Sequence, residues 1–103
     1  LKATLWDMIY TSNRAESVRL ARDVCSVIDK NLSTKVLGVK GASFYVLKGA
    51  RMPAILVEAG FLSNLQEERL MRNAYYRQQI AESIEQAIQR YARDFTLMEA
   101  ARQ

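Results

Sequence analysis

The stretch MPAILVEAGFLSN, residues 52–64, sets the frame for the rest of the chain. Its apolar run Ile55-Leu56-Val57 stops abruptly at an acid, Glu58. A run that is apolar on both faces is expected to be a strand inside a sheet covered on both sides, here AILVE over 54–58. Gly60, Phe61 and Leu62 follow, and then Ser63-Asn64. The acid at the end of this segment has two readings. It is a solvated strand end, or it is held there to do chemistry.

Downstream, Asn64 is a helix N-cap, with Glu67 at the matching N3 position and Glu68 also in the first turn. That helix is short and ends near Asn73. A last helix begins at Ala74 or Tyr75, with Tyr76, Ile80, Ile84, Ala87, Ile88 and Tyr91 as its apolar stripe, and runs on to Phe95. The tail TLMEAARQ either prolongs this helix or frays.

Upstream, SFYVL (43–47) is β-branched and aromatic and predicts another strand. The connector 48–53 is far shorter than the dozen or so residues a parallel crossover takes, so the two strands, if neighbours, are antiparallel. Residues 31–42 hold two glycines and no clear period, and read as a loop with at most a short extended piece. Asn13, with Glu16 three residues on, opens a helix to about Lys30. Its stripe is Val18, Ala21, Cys25, Ile28 and Leu32. Leu1, Leu5, Met8 and Ile9 sit at helical spacing, so 1–9 predicts a short helix. The order is helix-helix-strand-strand-helix-helix, an α/β arrangement. Two strands do not make a stable sheet covered on both faces. AILVE expects neighbours on both sides, so more strands are expected from a segment before Leu1. The chain does not start with methionine, as expected of a fragment or a processed form.

The chain has 103 residues, half of them hydrophobic and a quarter charged, with four glycines and one proline. That is a globular composition, of a size for one small domain. No run is long and apolar enough for a transmembrane helix, and no signal-peptide pattern is present. The net charge of +4 suits an anionic partner such as a cell-wall polymer, lipid or nucleic acid. Its arginines are scattered among acids, as on ordinary solvated faces, and no nucleic-acid-reading motif occurs. Cys25 is the single cysteine, which leaves no internal disulfide, and its place on the stripe reads as core. There is no histidine. That excludes a Ser-His-Asp triad, a Cys-His pair and a His-liganded zinc site built from this chain alone.

Ligands of α/β domains gather at the carboxyl ends of strands, and Glu58 ends one. An acid partly desolvated between Val57 and Gly60-Phe61 would have a raised pKa, which suits a general acid or base. Pattern alone leaves this reading beside the solvated strand end.

The blocks GVKGASFYVLKGARMPAILVEAGFLSNLQEERL and YYRQQIAESIEQAIQRY resemble the C-terminal part of the zinc-dependent N-acetylmuramoyl-L-alanine amidases. ESVRLARDV resembles the helix after that family's last metal ligand. The likeness covers nearly the whole chain. It implies the C-terminal portion of a mixed-sheet α/β domain flanked by helices, so that residues 1–103 form a single partial domain. It implies cleavage of the amide between N-acetylmuramic acid and the L-alanine of the stem peptide, within peptidoglycan. It gives Glu58 the role of catalytic acid, taking a proton from zinc-bound water and passing it to the leaving amine. The family's zinc ligands, two histidines and a glutamate, lie upstream of these blocks. Zinc therefore belongs to the parent enzyme, no metal ligand is assigned in this chain, and the chain alone is expected to be inactive. The resemblance also implies an exported protein of the periplasm or cell wall, with a role in cell division.

Other side chains have plainer readings. Lys40 is a solvated loop lysine or a substrate contact. Ser63 and Asn64 are helix-start residues. Tyr75 and Tyr76 are sugar-stacking candidates, but one of them lies on the core stripe. Trp6 reads as packing and Arg51 as a residue near the cleft mouth. The alternative function is a non-catalytic module that binds peptidoglycan or a regulatory partner. A nucleic-acid partner has charge alone behind it. Exposed strand edges are expected to make the isolated chain self-associate.

Overall fold

Lys2–Met8 forms β1, the middle strand of a three-stranded sheet of order β2-β1-β3. The computed structural model describes residues 2–8, 14–33, 35–42, 45–60 and 63–102. After β1 come α1 (Arg14–Asn31), β2 (Lys35–Ala42), a 3-10 turn (Tyr45–Leu47), β3 (Ile55–Glu58), α2 (Leu65–Arg72) and α3 (Ala74–Ala101). β2 pairs parallel to β1, and α1 is the crossover between them. β3 pairs antiparallel to β1, with Thr4 opposite Glu58 and Asp7 opposite Ile55. The sheet is mixed, and the α/β class holds.

The first element differs from expectation. Residues 2–8 are a strand and not a helix. Leu5 and Met8 fit a helical stripe, but Thr4 and Trp6 favour a pleated surface, and pairing on both sides decides between them. Residues 9–13, with the expected Asn13 cap, lie outside the described residues. From α1 onward the order helix, strand, strand, helix, helix stands. The first of those strands is displaced. It is β2, in the region read as a loop, and Gly38 is the reason. Ala3 pairs with Val36 but Thr4 pairs with Gly38, so the register skips one residue. Gly38 takes φ +111 in this bulge, a conformation that costs glycine little.

The strand expected at SFYVL is absent among the described residues: Tyr45–Leu47 is a 3-10 turn, and residues 43–44 lie outside the description. Val46 is 74% exposed, so its strand preference has no pleated surface to act on. β3 thus has β1, and not SFYVL, as its antiparallel neighbour. The middle strand comes from within the chain. All four residues of β3 are half-buried, and among the described residues β3 pairs with β1 alone.

α1 buries Ser17, Ala21, Val24 and Ile28, spaced four, three and four apart along one face. That face meets α3, whose buried residues are Tyr76, Ile80, Ser83 and Ala87. Val24, Ile28, Leu32, Tyr76, Ile80 and Ala87 form the core, with Val36, Ile55, Val57 and Leu70 packed at its margin. Complete burial of a residue such as Ile28 contributes about 1.5–3 kcal/mol. Cys25 is half-buried against this cluster, as its stripe position predicts. The predicted break between the last two helices also holds. Asn73 closes α2 through its N–H to the Leu70 carbonyl and opens α3 by accepting the Tyr76 N–H at 3.0 Å. The TLMEAARQ segment prolongs α3 as far as Ala101.

Candidate functional site around Glu58

Glu58 is the last residue of β3 and is half-buried. Because β3 runs antiparallel to β1, this end lies beside the start of the middle strand. The row across the sheet is Gly38, Thr4, Glu58. Glu58 therefore stands at the amino ends of β1 and β2, and the rule that ligands gather at the carboxyl ends of parallel strands does not place it. Beyond Thr4, one strand further across the same row, lies the bulge at Gly38. By sequence alone Gly38 belongs to the expected loop over residues 31–42.

One contact anchors the start of β3, and a cap orders the helix that follows it. At the strand's start, the Ala54 N–H donates to Ser17 Oγ at 2.9 Å, and Ser17 is fully buried in the first turn of α1. Beyond its end, the chain turns into α2, where Asn64 Oδ1 accepts the Glu67 N–H at 3.1 Å. The capping reading of Asn64 holds, and Ser63 is exposed beside it. Glu67 is buried, at 5% exposure. A Cβ added at Gly60 would come 3.4 Å from the Glu67 Cβ, so this segment passes close over α2.

The other candidates scatter. Tyr76 is in the core, whereas Tyr75 is 72% exposed and accepts a hydrogen bond from Gln79 Nε2 at 3.3 Å. Arg51 is exposed in the bend before β3. Trp6 and Lys40 are register partners across β1 and β2, which puts Lys40 in a strand and not in a loop. An open cavity of about 620 Å³ lies between α1 and β2, lined by Arg22, Cys25, Asp29 and Val36 among others. It is on the far side of β1 from Glu58 and holds no set of groups suited to catalysis. Burial, with Asp29 adding to it, pushes the Cys25 thiol up to about 11, which is the mark of an inert thiol and not of a nucleophile.

The residues here do not fit the zinc ion that the resemblance implies. The sequence has no histidine. Among the described residues, no group of three or more Cys, Asp and Glu side chains could hold a metal. Sequence reading missed the structural roles of Ser17 and Asn73 and the burial of Glu67. Asn73 had a legible signal, since asparagine between two helical stripes is a cap. Ser17 had none, because its partner is set by the tertiary fold, and no local pattern marks a glutamate at the third helix position as buried.

Residues 5–90 match the N-acetylmuramoyl-L-alanine amidase family. The chain is 36% identical over 91 residues to the amidase AmiC of Escherichia coli O6:H1, covering 88% of this chain and 22% of that protein. It is 36% identical over 90 residues to the amidase LytC of Bacillus subtilis, covering 87% of this chain and 18% of that one. A solved N-acetylmuramoyl-L-alanine amidase from Clostridium difficile 630 superposes with a TM-score of 0.80 at 33% identity, over 87% of this chain and 47% of that chain. AmiC2 of Nostoc punctiforme gives a TM-score of 0.75 at 30% identity, over 88% of this chain and 49% of that chain. The chain thus spans about a fifth of the length of these two relatives and about half of each solved structure. With a match that runs through β1, α1, β2, β3 and α2 and well into α3, the chain belongs to the N-acetylmuramoyl-L-alanine amidase family.

Proposed function

We propose that the protein carrying this chain hydrolyses peptidoglycan at the amide between N-acetylmuramic acid and L-alanine, and that Glu58 is its proton-transfer residue. The observation that carries the reading is the family match over residues 5–90, with the half-buried Glu58 ending β3. In the reaction, water adds to the amide carbonyl carbon and the carbon–nitrogen bond breaks. Glu58 accepts the proton of the attacking water and delivers it to the departing alanine nitrogen. The products are a carboxylate on the muramic acid side and a free amine on the peptide.

On this reading the 103 residues are the C-terminal half of the catalytic domain, in a protein exported to the periplasm or cell wall and serving cell division. The zinc would be held by residues outside them, and the chain alone would not hydrolyse its substrate. The test is digestion of purified peptidoglycan by the protein that carries this chain, with products read by mass spectrometry. New amino-terminal alanine in the wild type, and its loss in Glu58→Gln, is the expected result. A protein that binds peptidoglycan equally well with and without Glu58, and releases no alanine terminus, would instead be a non-catalytic binding module.

A further inference from the structure

Glu67 lies at the third position of α2 and is 5% exposed, with Oε1 buried and without a hydrogen-bond partner among the described residues. Helix capping does not explain that carboxylate. The cap here is the Asn64 side chain, which accepts the Glu67 backbone N–H. What the Glu67 side chain meets is Gly60: a Cβ there would lie 3.4 Å from its Cβ, 3.7 Å from Oε1 and 3.9 Å from Cγ. Gly60 is the second residue after Glu58, so the carboxylate packs on the backbone by which the chain leaves β3. A buried acceptor without a donor opposes folding. An apolar side chain of similar length would fill the same space without that penalty. Groups that cost stability in this way concentrate where a neighbouring reactive group must be held in place.

We propose that Glu67 is a positioning residue for Glu58. It holds Gly60 so that β3 ends with the Glu58 carboxylate presented to substrate, and its free Oε1 accepts a backbone N–H near Gly60 when substrate binds. The inference rests on the amidase reading of Glu58.

The experiment compares wild type, Glu67→Leu, Glu67→Gln and Gly60→Ala in the protein that carries this chain. It measures thermal unfolding together with kcat and KM on purified peptidoglycan. Glu67→Leu is expected to keep or raise Tm while kcat falls roughly 10- to 100-fold and KM stays within about twofold, as for a displaced catalytic group. Glu67→Gln, which keeps an acceptor of the same shape, recovers most of kcat. Gly60→Ala presses on the same contact from the other side and lowers kcat. The inference is overturned if Glu67→Leu keeps the wild-type kcat, or if its losses in activity and Tm run in step, as for a purely structural residue. It is also overturned if Glu67→Gln is as slow as Glu67→Leu, or if Gly60→Ala is fully active. An active wild type with equally active variants removes this inference alone. A wild type that releases no alanine terminus removes the amidase reading, and this inference with it.

Discussion

The hydroxyl of Ser17 accepts the Ala54 N–H at 2.9 Å, tying the first turn of α1 to the residue before β3. Ser17 is fully buried, so no water replaces it. Ser17→Ala would leave the Ala54 N–H without its acceptor, at a cost of about 1–3 kcal/mol. Urea denaturation of the two proteins measures it. An unchanged midpoint would show that this contact does not anchor β3.

Glu58→Gln keeps the shape of the side chain and removes its ability to take up a proton. On the role proposed for Glu58, loss of general acid–base catalysis is expected to lower kcat by about 10²–10⁴. The residue is half-buried at a strand end, so the unfolding midpoint is expected to move little. A variant retaining full kcat would assign the proton transfer to another group.

Asn73 serves two helices, through its N–H to Leu70 and its side chain to Tyr76. Asn73→Ala removes only the side-chain cap of α3, at a cost of about 0.5–2 kcal/mol. Asn73→Pro also removes the N–H that closes α2 and is expected to cost more. Circular dichroism during thermal unfolding separates the two. Equal losses would mean that the α2 contact adds nothing.

The Tyr91 hydroxyl donates to Glu16 Oε1 at 2.8 Å. Burial first, and then this bond, push its pKa from 10.0 up to about 12. The folded state therefore holds the proton more tightly than the unfolded state does. The resulting stabilisation is complete below pH 10.0 and is lost as pH rises towards about 12. Tyr91→Phe removes this dependence, so the stability gap between the two proteins narrows across that window. A constant gap would contradict the raised pKa.

β2 and β3 each pair on one side only among the described residues. Unpaired strand edges recruit further chains. The isolated chain is expected to self-associate, with a sedimentation coefficient that rises with concentration. A concentration-independent monomer would show the edges to be covered.

The helical part of the fold was legible from residue 14 onward, because it depends on local chemistry. The apolar stripes of α1 and α3 mark their buried faces, and Asn64 marks the start of α2. The strands were less legible. Glu58 could be named as the end of β3 from Ile55-Leu56-Val57-Glu58, but its neighbours could not. Lys2–Met8 fits two periods, and only pairing on both sides makes it the middle strand. Gly38 looks like a loop residue until the register skip opposite Ala3 and Thr4 makes it a bulge.

The opening segment divides in the same way. Composition and order by themselves determined an apolar strand, a terminal acid and a capped helix, since burial of apolar side chains and satisfaction of helix N–H groups are local demands. Tertiary structure decided the direction of β3, the row Gly38, Thr4, Glu58, and the packing of Glu67 on Gly60. The direction of β3 and the row join residues far apart in the chain, and their energies exist only once β1 stands between β2 and β3, while the Glu67–Gly60 contact depends on how the chain leaves β3 for α2.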